Sequence, residues 1–109
     1  MVRGEIFRFR PPRQRRGSEQ RGARYGVVVQ NDALLGMSTV LVAPTSTSAM
    51  SLPFRPAIEV EGVMTRVIVE HTTALAPGRL GQSVGRLGGA ELRKVDLALS
   101  FVMGLSRPA

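Results

Sequence analysis

The 109-residue chain has no cysteine or tryptophan, one histidine, one tyrosine and only 5% aromatic residues. Without cysteine there can be no disulfide framework, no thiolate zinc site and no thiol nucleophile. The single histidine, His71, excludes a catalytic histidine pair within one chain. Beside Glu70 in a strand-like run, it reads as a packed or surface side chain. The eight acids are scattered rather than spaced as metal ligands, so neither a metal nor any other cofactor is expected. A phosphate-binding P-loop, a dinucleotide fingerprint and a serine nucleophile elbow are also missing. No apolar run approaches the length of a membrane span, and the N-terminus lacks the apolar core of a signal peptide. The expectation is a cytoplasmic protein with no membrane partner.

What the chain does have is arginine. Lysine and arginine number 15 against 8 acids, giving a net charge of +7 and an isoelectric point near 11.6, and 14 of the 15 bases are arginine. Residues 1–24 hold eight of these arginines against Glu5 and Glu19, which is +6 of the total +7. Compositional bias alone would spread them along the chain. A cationic concentration of this kind attracts polyanions, and the planar guanidinium suits phosphate.

The length fits one domain, 1–109, with a modest core. "EIFRFR" reads as a first strand with one basic face. "RPPRQRRGSEQRGAR" (10–24) has no large apolar residue and reads as a long loop, which in a small domain tends to be functional or mobile. "YGVVVQN" (25–31) has the continuous β-branched character of a strand buried on both faces. "NDALLG" turns the chain, and "MSTVLVAP" (37–44) is a second such strand ended by Pro44. "TSTSAMSL" makes another loop. "FRPAIEVE" (54–61) alternates in its second half, "TRVIVEHTTAL" (65–75) predicts a strand or a pair, and "GQSVGRL" a short last strand. Only 90–105 looks helical: Leu92, Val95, Leu99 and Val102 recur at three- and four-residue steps, Glu91 suits the first turn and Gly104 a stop. The class is mainly β, with five to seven antiparallel strands in a small barrel or half-open sheet and a C-terminal α-helix against it.

Two polar loops each open from the end of a predicted strand. One carries the arginines with Ser18, Glu19 and Gln20, the other Thr45, Ser46, Thr47 and Ser48. Guanidinium groups facing hydroxyls suit a phosphodiester: arginine stabilises the charge of a pentavalent transition state, and a hydroxyl donates to a phosphoryl oxygen. In RNA the neighbouring 2′-hydroxyl can be the nucleophile, leaving the protein to supply position, charge and proton transfer.

"GSEQRGARYGVVVQND" closely resembles the signature of the MazF/PemK family of toxin endoribonucleases, a G-S-E-Q-x-G-x-R-P stretch leading into a buried strand. "RGEIF" is similar to the family's start, and "STVLVAPTSTSAMSLPFRPAIEV" to its next segment. Tyr25 stands where members usually carry proline, and Arg10 where many carry an acid. The resemblance implies an SH3-like barrel, a homodimer, and sequence-selective, metal-independent cleavage of single-stranded RNA. It further implies neutralisation by a cognate antitoxin whose disordered, often acidic tail lies across the RNA groove. Residue by residue, it assigns catalysis to Arg24 and Ser46 and matches Glu19 to the loop that shapes the site, where its carboxylate could orient Arg24 or accept a proton. Gln20 helps shape the site, and Gly17 and Gly22 are its flexible points. Arg13, Arg15, Arg16, Arg21, Thr45 and Thr47 complete the expected RNA surface, and either threonine could share the role of Ser46.

Attack by the 2′-hydroxyl would leave a 2′,3′-cyclic phosphate and a 5′-hydroxyl. Arginine stays protonated to a pH of about 12 and is a poor proton shuttle near neutrality, so electrostatic stabilisation is its main expected role. Two rivals are a basic barrel that binds RNA without cutting it and one that captures only an acidic peptide. Scarcity of rings argues mildly against the first, because stacking platforms want several exposed ones.

Overall fold

The run Tyr25–Val28 is apolar without alternation because neighbours cover both of its faces, and all four residues are buried. The structure, a computed structural model, describes residues 1–9 and 24–105; the predicted loop up to residue 23 lies outside the described residues. Within them the strands are β1 (Glu5–Phe9), β2 (Tyr25–Val28), β3 (Val40–Ser46), β4 (Ala57–Val60), β5 (Val63–Val67), β6 (Thr73–Leu75) and β7 (Leu80–Arg86). One helix, α1 (Gly89–Val102), follows. The strands form one curled antiparallel sheet in the order β4-β5-β3-β2-β1-β7, with β6 also paired to β3. This is the mainly-β half-barrel with a C-terminal helix that the sequence predicts.

Because side chains alternate across a strand, the pleat sorts the core into two clusters. Ile6, Tyr25, Val27 and Ala43 face the helix and pack with Ile58, Val60, Val67, Val69, Val95 and Ala98. Val28, Val40, Val42 and Leu80 form the second cluster, with Phe7 and Phe9 against it. Helix α1 contributes the residues that its three- and four-residue periodicity marks: Val95 is fully buried, and Leu92, Leu99 and Val102 pack partly buried beside it. Gly104, at φ +72°, ends the helix. The Gly104 N–H donates to the Phe101 carbonyl and the Leu105 N–H to that of Ser100, the double closure that a left-handed glycine permits.

Three expectations need correction. Strand β2 is shorter than 25–31. Strand β3 begins at Val40 rather than residue 37, and it does not stop at Pro44 but continues to Ser46, so Thr45 and Ser46 belong to a strand rather than a loop. The Val29 N–H donates to the Leu41 carbonyl at 3.0 Å. By the alternation of an antiparallel ladder, the main-chain polar groups of Pro44 then point away from β2. Its carbonyl accepts from the Ile68 N–H at 2.8 Å on the other edge. There β3 changes partners, from β6 at Val40–Val42 to β5 at Thr45–Ser46, so proline's missing N–H breaks no ladder. Third, of the strand or pair predicted over 65–75 it is the pair that forms, but a 3-10 turn, Val69–His71, separates the two, so His71 is a turn residue rather than a strand one. Five residues, 68–72, span a stretch of β3 only two residues long, 43–44, and the excess loops out as that turn.

Gly26 is the tightest point of the sheet. A Cβ there would lie 2.5 Å from Val42 Cγ1 and 3.4 Å from Phe9 Cδ1. Gly26→Ala is therefore expected to lower unfolding free energy by about 1–3 kcal/mol through overpacking. Urea unfolding checks this, and adding Val42→Ala should recover part of the loss.

Candidate active site

The register of β2 against β3 pairs Gly26 with Pro44, Val27 with Ala43 and Val28 with Val42. Continued by two residues, it sets Arg24 across from Ser46 on the face that Gly26 and Pro44 share. Both line a cleft of about 340 Å³ together with Pro44, Thr45, Ala49, Arg55, Ile68 and His71. Arg24 is held by its own backbone: the Phe9 N–H donates to its carbonyl at 2.9 Å, and its guanidinium lies 6.0 Å from the centre of the Phe9 ring.

Opposite it, the Ser48 N–H donates to Ser46 Oγ at 3.2 Å, and the two hydroxyl oxygens are also 3.2 Å apart. The accepted N–H orients the Ser46 oxygen, while the hydroxyl proton remains able to rotate toward a ligand. Thr45, directly before it, is buried, with 2% exposure, and Thr47 is exposed beyond the strand end. The structure thus brings Arg24, Thr45 and Ser46 into one cleft. Glu19, Arg13, Arg15, Arg16, Gln20 and Arg21 lie outside the described residues.

Two lining residues escape the sequence reading. Arg55 bolts the cleft together: its Nε donates to Glu70 Oε2 at 2.8 Å, its Nη2 forms an ion pair with the same oxygen at 2.7 Å, and its Nη1 donates to the Met50 carbonyl at 3.1 Å. Burial pushes the Glu70 carboxyl up, but the hydrogen bond and charge of Arg55 outweigh it and hold the group below its ordinary range. With these donors engaged, Arg55 serves the walls of the cleft more than a ligand. His71 is exposed and faces the same space from the 3-10 turn. No local pattern marks either residue, since each reaches the cleft through long-range pairing.

Tyr25, in the place where relatives of this signature usually carry proline, has its own anchor. Its hydroxyl donates to Glu61 Oε1 at 2.7 Å, and Arg8, its partner across the β1–β2 ladder, donates to both Glu61 oxygens at 3.1 and 3.2 Å. Glu61 sits at the two-residue β4–β5 turn with φ +51°, followed by Gly62 at +82°. Positive φ at both positions is what such a turn requires, and it is uncommon for glutamate. The turn tip therefore clamps the residue next to Arg24 from the opposite edge of the sheet. Nor are all N-terminal arginines available as surface charge. Arg8 is engaged here, and Arg3 donates from Nε to the Val29 carbonyl at 2.8 Å and from Nη1 to Asp96 at 2.7 Å.

Among the described residues no three His, Asp or Glu side chains gather into a cluster that could hold a metal ion, and no helix is long and apolar enough to cross a membrane. A second depression of about 300 Å³ between α1 and the segment 53–56 is lined mostly by apolar side chains, with Lys94 the one charged residue among the described ones.

The fold is thus a curled β half-barrel with one helix, in which an arginine and a serine hydroxyl line one cleft. The model of the PemK-like, MazF-like toxins of type II toxin-antitoxin systems matches residues 2–103. Two relatives come from Mycobacterium tuberculosis. One named as a toxin is 37% identical over 106 residues, covering 96% of this chain and 99% of the relative. The endoribonuclease MazF9 is 33% identical over 116 residues, covering 96% and 98%. In fold, the chain matches a mycobacterial endoribonuclease solved in complex with its cognate antitoxin, with a TM-score of 0.79, 22% identity and 99% of both chains covered. MazF of Deinococcus radiodurans gives 0.76 at 22% identity, covering 95% of this chain and 96% of that one. The chain belongs to the family of PemK-like, MazF-like toxins of type II toxin-antitoxin systems.

The hydrogen bond to Glu61 first, and burial second, raise the Tyr25 phenol above its ordinary value near 10. A folded-state value above the unfolded one means this stabilisation is complete below a pH of about 10 and is lost as pH rises through the folded value. Tyr25 is the only tyrosine, so phenolate absorbance reports it alone. The folded protein should titrate above about 10, and Glu61→Gln should bring the midpoint down toward the free value. A midpoint unmoved by that change would show that the clamp is absent.

Proposed function

We propose that this chain, folded as a single domain and paired as a homodimer in the cytoplasm, is an endoribonuclease that cuts single-stranded RNA, messenger RNA above all, sequence-selectively and without a metal. By doing so it halts translation and growth. The observation that supports this most is the β2–β3 register that opposes Arg24 to Ser46 on one cleft. The 2′-oxygen forms a bond to phosphorus, the bond from phosphorus to the 5′-oxygen breaks, and the products are a 2′,3′-cyclic phosphate and a 5′-hydroxyl. Arg24 neutralises the extra charge of the pentavalent state, and Ser46 donates a hydrogen bond to a phosphoryl oxygen. Glu19 orients Arg24 or takes the 2′-proton. Arg13, Arg15, Arg16, Arg21, Gln20 and Thr47 hold flanking nucleotides, while Thr45, expected with them, is buried and backs the wall of the cleft instead. The cognate antitoxin lays an acidic, otherwise disordered segment over the same basic surface and so excludes RNA.

The purified protein should cut mixed-sequence RNA in excess chelator. A substrate with 2′-deoxyribose at the cut position should bind and stay whole, whereas its cleavage at the normal rate would exclude attack by the 2′-hydroxyl. Binding without any scission would favour a non-catalytic RNA-binding barrel, and neither binding nor scission a peptide-binding one. Arg24→Ala and Ser46→Ala should each slow cleavage by roughly 100-fold or more, as for loss of an oxyanion-type donor. Affinity for RNA should fall much less, since other arginines still meet phosphates.

A further inference from the structure

Cleavage through the 2′-oxygen moves two protons, one away from the attacking oxygen and one onto the departing 5′-oxygen. Ser46 and Thr45 are too weakly acidic to supply the second at neutral pH, and an arginine releases its proton only above about pH 12. Of the eight described residues that line the cleft, His71 is the only one of a type that takes up and gives up a proton near neutrality. Its placement follows from the sheet. The excess of the 68–72 segment over the two residues of β3 that it spans has to leave the sheet plane. It leaves as a 3-10 turn closed by the His71 N–H on the Ile68 carbonyl at 2.9 Å, and by the Thr72 hydroxyl on the Val69 carbonyl at 2.7 Å. Val69 anchors the turn in the core, and the Ile68 N–H ties it to Pro44, next to Thr45 and Ser46. The imidazole is thereby carried on a fixed backbone into the space that Arg24 and Ser46 face. Glu70, the adjacent carboxylate, is taken up by Arg55.

We propose that His71 is the general acid of this reaction, an inference that rests on the function proposed above. As the bond from phosphorus to the 5′-oxygen breaks, the imidazolium passes its proton to that oxygen and is left neutral. The 2′-proton goes to a base, the second of the two roles given above for Glu19, so that one proton enters and one leaves in each turnover. Arg24 then carries charge stabilisation alone, which removes the need for a guanidinium to shuttle protons.

The test uses two RNA substrates that differ in one atom at the cut site, with oxygen or sulfur bridging phosphorus to the 5′-carbon. A thiolate departs without protonation, so loss of a general acid is felt only with oxygen. His71→Gln should slow cleavage of ordinary RNA by roughly 100-fold or more, and cut the 5′-thio substrate at nearly the wild-type rate. Because His71 is exposed, the variant should fold, and an unchanged thermal transition would confirm that. Wild-type rates with both substrates would overturn the proposal. So would equal losses with both, which would give His71 a binding or structural part instead. If the unmodified protein cuts neither RNA, the underlying function fails and this inference with it, a result plainly different from a fully active variant.

Discussion

Strand β3 changes partners at Pro44, and that change places everything at the site. Up to Val42 the strand runs between β2 and β6; from Thr45 it runs beside β5. Its β2 edge keeps one register, which carries Arg24 across from Ser46, while its other edge must absorb surplus residues, which carries His71 over the same cleft. A one-residue slip of β2 against β3 would move Arg24 to the other face and put Tyr25 in its place. Gly26 guards against such a slip, because only there can Val42 and Phe9 close over the strand.

Charge on this molecule divides by what the guanidiniums already hold. Arg3 ties the N-terminus to Val29, just after β2, and to α1, Arg8 shares Glu61 with Tyr25, Arg55 joins Glu70 to the loop after β3, and Arg66 donates to the Arg55 carbonyl. An exposed pair such as Arg8–Glu61 contributes little to stability by itself. The effect of these contacts lies in fixing segments distant in sequence around the cleft. Arginine is suited to both tasks, because a planar fork that matches phosphate also reaches two or three acceptors at once.

Much of the fold is legible in the sequence. β-Branched runs mark the strands, the three- and four-residue spacing of Leu92, Val95, Leu99 and Val102 marks the helix, and Gly104 marks its end. Both Arg24 and Ser46 follow from the family signature. What escapes is what depends on pairing between distant segments. Pro44 reads as a strand end because a proline usually breaks a ladder, and only the change of partner makes it harmless. His71 sits in an unbroken β-prone run, so nothing local reveals that the run is too long for the strand it faces. Tyr25 looks like a lost proline until Glu61, 36 residues onward, meets its hydroxyl.

The central claim is that Arg24 and Ser46 act on one phosphate as a unit. It is tested most directly by single-turnover cleavage rates of Arg24→Ala, Ser46→Ala and the double variant. Groups that stabilise the same transition-state charge are strongly non-additive, so the double variant should lose far less than the product of the single losses. Losses that simply multiply would mean that the two side chains work independently, and would contradict the account.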